Sequence, residues 1–187
     1  PNLVVSPTKM NVFYRGVDNP VSISVAGYSA TNISPSMTNG TLGRDRDGYI
    51  VKPGKDAKAV VSVTVTNPDG TKKSMQGVEF RVKNVPNPVP YFSGKSVDDA
   101  TIKHAELNIA QGVQAKMKDF EFDLKFDIVE YTVTATIAGK FIEQPCKGPA
   151  LTADAKKVLD AVKTGQKIFI EGIKAKGPDG TIRNLGT

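Results

Sequence analysis

Phe80-Arg81-Val82-Lys83-Asn84-Val85-Pro86-Asn87-Pro88-Val89-Pro90, near the middle of the 187-residue chain, is the stretch from which the rest can be read. It opens as a strand, because Val78, Phe80 and Val82 alternate with Glu79, Arg81 and Lys83. Proline then recurs at positions 86, 88 and 90. Each proline removes a backbone donor and fixes φ, and each pushes the residue before it toward extended geometry. The strand must end here. The proline run is predicted to be a short, stiff connector rather than a Gly/Ser tether. Short β-like runs divided by turns precede it, and longer amphipathic strands with a helix come after. The pattern predicts a β-sandwich over residues 1–85, a connector over 86–90 built on Val85, Pro86, Asn87, Pro88 and Pro90, and an α+β module over 91–187.

Composition fits a globular protein, with 39% hydrophobic and 24% charged residues. No apolar run reaches the length that spans a bilayer. The chain begins at Pro1 without Met, basic region or apolar leader, which predicts a piece of a longer protein whose targeting signal lies elsewhere. A single cysteine, Cys146, excludes an internal disulfide framework and a multi-cysteine zinc site, and reads as a small buried apolar residue. The net charge of +6 permits anionic partners. The lysines are scattered, however, and aromatics are 7% with no tryptophan. Basic residues interleaved with stacking rings are therefore absent, and a nucleic-acid partner is not predicted.

In the first module, Leu3-Val4-Val5 and Met10 to Tyr14 read as short strands split by Ser6-Pro7-Thr8. Turn formers from Arg15 to Pro20 lead into Val21-Ser22-Ile23-Ser24-Val25, a clean period-two run. Further strands are expected near Tyr28–Ile33, Gly48–Lys52, Ala59–Thr66 and Lys72–Lys83. The last two are joined by Asn67-Pro68-Asp69-Gly70, a sequence suited to a tight reverse turn. Six or seven short strands with no helical pattern indicate an Ig-like β-sandwich, although the antibody Cys-Trp-Cys signature is missing. Arg44-Asp45-Arg46-Asp47-Gly48 contains the Asp-x-Asp-Gly piece of a calcium loop. Arginine holds the first ligand position and no glutamate closes the loop, so a self-neutralising loop tip is the better reading.

In the second module, Ala100–Ala110 is read as a short helical or irregular segment after Ser96-Val97-Asp98-Asp99. Phe120, Phe122, Leu124 and Phe126 alternate with Asp119, Glu121, Asp123, Lys125 and Asp127, which predicts an amphipathic strand. The alternation slips at Ile128-Val129, and Val129, Tyr131, Val133, Ala135 and Ile137 become the apolar set. A one-residue slip flips every side chain, so a bulge, bend or sheet change is required near Asp127–Val129. Thr152 is a candidate N-cap for an amphipathic helix over about residues 153–164, with Ala155, Val158, Leu159 and Val162 on one face and Gly165 as the C-cap. A strand over Lys167–Lys174 comes next. Gly177-Pro178-Asp179-Gly180, resembling the turn at Asn67, leads into Thr181-Ile182-Arg183.

Chemistry-bearing constellations are scarce. His104 is the only histidine, and no nucleophile elbow, phosphate-cradling loop or ligand spacing appears. The carboxylates of Asp119, Glu121, Asp123 and Asp127 fit the solvated face of a strand better than acid/base catalysis. A contact face for a basic partner is the functional reading they support best. The residues point to a binding or scaffolding protein with no cofactor and no enzymatic activity. A secreted adhesin-type pair of Ig-like modules is the alternative.

Met10 to Gly27, Phe80 to Pro88 and Gly172 to Arg183 resemble segments of the GldM/PorM family, the periplasmic shaft proteins of gliding motility and type IX secretion. The resemblance implies the last two periplasmic domains of an inner-membrane protein. In such a protein an upstream transmembrane segment joins a partner to form a proton-driven motor. It also implies a homodimer whose C-terminal module docks a ring of outer-membrane-associated proteins. The family offers no catalytic residues to carry over.

Overall fold

The computed structural model describes residues 3–7 and 11–187, with side chains described from Asn11 onward. Thr8 and Met10, which figure in the expected first turn and second strand, lie outside the described residues. The chain divides into two compact units, Pro1–Val85 and Pro86–Thr187, and is mainly β.

The first unit holds β1 (Leu3–Pro7), β2 (Val12–Tyr14), β3 (Asn19–Val25), β4 (Ile33–Met37), β5 (Gly40–Asp45), β6 (Gly48–Pro53), β7 (Lys58–Thr66), β8 (Lys72–Ser74) and β9 (Val78–Lys83). They form two sheets, ordered β1-β3-β6-β5 and β2-β9-β7-β4, with β8 added on β7. In immunoglobulin lettering these are the A-B-E-D and G-F-C sheets. The first strand is split between them: β1 runs antiparallel to β3, whereas β2 runs parallel to β9. The alternating residues of both sheets meet in one core. Val21 and Val51 come from one sheet, and Phe13, Ala59, Val61, Phe80 and Val82 from the other. The Phe13 and Phe80 rings lie 4.5 Å apart. Asn19, 2% exposed, holds the turn between β2 and β3. Its Nδ2 donates to the carbonyls of Tyr14, Val17 and Val51, and its Oδ1 accepts the Tyr14 N–H, so every polar atom of this buried amide is satisfied.

Several local expectations change. β1 continues through Pro7, which pairs with Val21, so Ser6-Pro7 does not break it. Of the strand expected near Tyr28–Ile33 only Ile33 is one, as the start of β4; a 3₁₀ turn at Ala30–Asn32 precedes it. β4 carries Pro35 at its centre, which reads in sequence as a break. It lies at a sheet edge, where a missing donor is tolerated. Lys72–Lys83 is two strands rather than one. The interruption includes Gly77, where a Cβ would stand 2.5 Å from Val60 Cγ1.

The second unit contains β10 (Val89–Phe92), α1 (His104–Asn108), β11 (Val113–Lys116), β12 (Asp127–Ile137), β13 (Lys140–Lys147), α2 (Ala153–Ala161), β14 (Ile168–Lys176) and β15 (Ile182–Gly186). β10 and β11 form an antiparallel ribbon. The main sheet runs β13-β12-β14-β15. Thr152 Oγ1 accepts the Ala155 N–H at 3.2 Å as the N-cap of α2, and Ala155, Val158 and Leu159 are buried. Tyr131 and Cys146, cross-strand partners, share the sheet face on which α2 packs, and Cys146 Sγ lies 3.8 Å from Thr152 Oγ1. The helix ends at Ala161, earlier than its apolar periodicity implies, because Val162 turns extended. The Gln166 side chain accepts the Lys163 N–H beyond it, and Gly165 adopts positive φ in that turn rather than as the C-cap. The phase slip in β12 is a bulge, with register shifts against β14 between Ile128 and Glu130 and again between Glu130 and Thr132.

Asp119–Asp127 corrects the sequence reading. Only Asp127, the first residue of β12, and an isolated bridge from Phe126 to Ala115 belong to ladders. The alternation survives as burial, with Phe120, Phe122 and Leu124 half-buried and the acids exposed. Asp119 sits at φ 52°, a left-handed conformation that interrupts extended backbone. The Phe120 and Phe122 rings stack on each other at 5.5 Å. Amphipathic periodicity needs one apolar face, and that face can be met without a neighbouring strand.

Candidate interaction surfaces

The acids singled out in the sequence sit in or beside this irregular segment. Asp119, Glu121 and Asp123 are exposed, and Asp127 is exposed with its carboxylate 3.2 Å from Lys125 Nζ. They belong to the less basic unit. The first unit carries eleven Lys and Arg against six Asp and Glu, the second fourteen against thirteen. What the arrangement offers chemically is a solvated row of negative charge on a short loop backed by two stacked rings. It suits contact with a cationic surface; no buried carboxylate is present in it to hold a proton for catalysis.

The boundary residues divide differently. Pro86 and Asn87 are exposed, Pro88 is buried, and Val89 and Pro90 lie in β10, opposite Lys116 and Ala115. Sequence reading overlooked the side chain that organises them. Arg183, on β15, donates from Nη1 to the Pro86 carbonyl at 3.0 Å and to Asn87 Oδ1 at 3.4 Å. Its Nη2 donates to Asp179 Oδ2 at 3.1 Å, and its guanidinium carbon lies 5.2 Å from the centre of the Phe126 ring. The only available signal was a lone arginine six residues after Gly177, which a sequence cannot distinguish from a surface cation.

Other candidates have structural roles. The Arg44–Gly48 loop is the tight connection of β5 to β6, and Arg44 Nη2 donates to the Ala30 carbonyl at 3.1 Å. Among the described residues no group of three or more His, Cys, Asp and Glu is placed to hold a metal. His104 joins the two helices: its Nε2 donates to Val162 O at 3.2 Å and its Nδ1 accepts from Asn108 Nδ2 at 3.3 Å. Those partners assign the Nε2–H tautomer. Burial raises the pKa of Tyr131, with a further contribution from Cys146 beside it. The Lys174 hydrogen bond, and then its charge, lower that of Glu130 across the 2.8 Å ion pair between them. A hollow of about 320 Å³ lies between the end of α1 and α2. The charged residues lining it, Lys156 and Asp160, are exposed. No helix among the described residues is long and apolar enough to cross a membrane.

An Ig-like sandwich and a helix-backed sheet, each with its own buried core, define a modular β-rich protein. The GldM third domain matches residues 2–83 and the GldM C-terminal domain matches residues 86–187, so the chain belongs to the GldM family of gliding-motility and type IX secretion components. No curated protein matches it.

Proposed function

We propose that this chain is a non-enzymatic transmission arm of the type IX secretion and gliding machinery. It works in the periplasm as a dimer, between a proton-driven motor in the inner membrane and outer-membrane-associated ring proteins. The observation that carries this reading is the pair of family matches, which together run nearly end to end along the chain. Residues 86–187 make the ring contact, with Asp119, Glu121, Asp123 and Asp127 facing a basic patch on the ring. Val85, Pro86, Asn87, Pro88 and Pro90 act as a braced connector, since slack between modules would dissipate displacement.

The experiment is capture of ring proteins by the whole chain and by a variant with Asp119, Asp123 and Asp127 changed to Asn and Glu121 to Gln. Neutralising a charged rim lowers association, and about tenfold weaker capture at low salt is expected, with the difference shrinking as salt rises. Undiminished capture by the variant sinks the acidic contact. Undiminished capture by residues 1–85 alone sinks the docking role of the second unit. Sedimentation at high protein concentration checks the dimer, and a strict monomer opposes it.

A further inference from the structure

Two arginines take hold of the chain on either side of Val85, each inside its own unit. In the first unit Arg15 follows β2, and its backbone N–H donates to Lys83 O at 2.9 Å. Its Nη1 donates to Asn84 Oδ1 at 3.0 Å. Nε reaches the Gly54 carbonyl at 3.1 Å, and Nη2 the carbonyls of Lys55 and Asp56 at 2.8 and 3.0 Å. In the second unit Arg183 holds the carbonyl of Pro86 and the side chain of Asn87 while paired with Asp179. Val85 itself is 4% exposed. Asn84, Val85 and Pro86 are therefore each secured, by one arginine, by burial and by the other arginine in turn.

We propose that Arg15 and Arg183, rather than the prolines, set how tightly the chain is held over residues 83–87. Pro86, the one proline in that span, restricts its own φ and biases the residue before it, but its exposed ring anchors nothing to the body of a domain. A guanidinium donating to several fixed acceptors does anchor. Its planar fork is preorganised, whereas a lysine ammonium is a single hydrated point that cannot span the same acceptors. Charge-assisted hydrogen bonds are also the stronger kind. The two anchors are independent of the transmission reading and hold whatever the chain docks.

The test is the rate of trypsin cleavage after Lys83 in the whole chain, a bond inside the Arg15 contact set. Cleavage of a transiently opened segment tracks the open population when closing is fast. Arg15→Lys and Arg183→Lys are each expected to speed cleavage about tenfold, and Pro86→Ala, at an exposed position, less than about twofold. Cleavage after Lys83 is expected to proceed while the slowest amides of β7 and β12 remain protected, which separates local release from unfolding. Asn84→Ala, also exposed, removes one Arg15 acceptor and is expected to speed cleavage about threefold even if Arg15→Lys does not fold. Parental cleavage rates in the arginine variants and in Asn84→Ala would overturn the proposal. So would Pro86→Ala cleaving as fast as the arginine variants.

Discussion

Asn67-Pro68-Asp69-Gly70-Thr71 and Gly177-Pro178-Asp179-Gly180-Thr181 are the same hairpin tip built twice, once in each unit. In the first, Asp69 Oδ1 accepts the Thr71 N–H at 2.9 Å and its hydroxyl at 2.6 Å; in the second, Asp179 Oδ1 accepts the Thr181 N–H at 3.1 Å and its hydroxyl at 2.8 Å. The N–H of Asn67 donates to Thr71 O at 2.8 Å, and that of Gly177 to Thr181 O at 2.9 Å. The strand register matches as well, with Val65 opposite Lys73 and Ala175 opposite Arg183. The tips diverge at that last position. Lys73 is exposed, whereas the Arg183 side chain is 13% exposed and reaches the first residues of its unit. Turn chemistry fixes the hairpin, then, and one side chain on the return strand decides whether the tip also fastens another segment.

Truncating the two cations should separate these roles most sharply. Arg183→Ala removes charge-assisted bonds and leaves the half-buried Asp179 without its cation, which should cost the second unit about 2–3 kcal/mol. Lys73→Ala should cost the first unit no more than about 0.5 kcal/mol. Urea unfolding followed by a probe in each unit reads both. Equal losses would mean that the tips are equivalent and that the Arg183 contacts carry no stability.

Acid should produce a smaller separation in the same direction. Hydrogen bonds from the Thr71 hydroxyl and N–H hold Asp69 below the usual carboxylate range. Burial pushes the Asp179 pKa up, but the Thr181 hydrogen bonds and Arg183 outweigh it, and the net shift is again downward. A carboxylate whose folded pKa is depressed contributes stability above its unfolded pKa, and that contribution fades as pH falls through the folded value. Both tips should therefore weaken below the ordinary aspartate pKa of 3.8. Asp179→Asn should flatten the acid limb of the second unit's melting profile more than Asp69→Asn flattens that of the first. Thermal melts between about pH 6 and pH 3 measure it. A first unit that loses more acid dependence than the second would reverse the comparison.

The tips also show what was legible in the chain. Both Pro-Asp-Gly turns, the alternating core positions of β7 and β9, the N-cap at Thr152 and the bulge after Ile128 follow from local rules of turn, period and cap. Features set by the neighbour rather than by the residue were not legible. The Pro35 strand needed the knowledge that it lies at an edge, and Asp119–Asp127 needed a ladder partner that its periodicity could not supply. The candidate surface was visible as a row of carboxylates. The arginines that hold the chain on either side of Val85 were not, because most of their acceptors are backbone carbonyls, up to 97 residues away, and a carbonyl has no signature in sequence.

Lys73→Arg offers the finest discrimination, since it supplies the first tip with the side chain that distinguishes the second. If the turn alone made the anchor, the new guanidinium would find Asp69 as Arg183 finds Asp179, and the first unit would gain stability. The second tip, however, adds the Phe126 ring and the Pro86 carbonyl to its aspartate, and these come from other parts of that unit. At the first tip the side chain that closes over the turn is Tyr28, whose hydroxyl donates to Asn67 Oδ1 at 2.6 Å. An arginine meeting only an exposed carboxylate spends rotamer entropy for a screened attraction. The first unit's melting midpoint should thus move by less than about 2 °C, as for other exposed substitutions. A larger upward shift would show that the aspartate turn suffices, and that the ring and carbonyl around Arg183 are incidental to its hold.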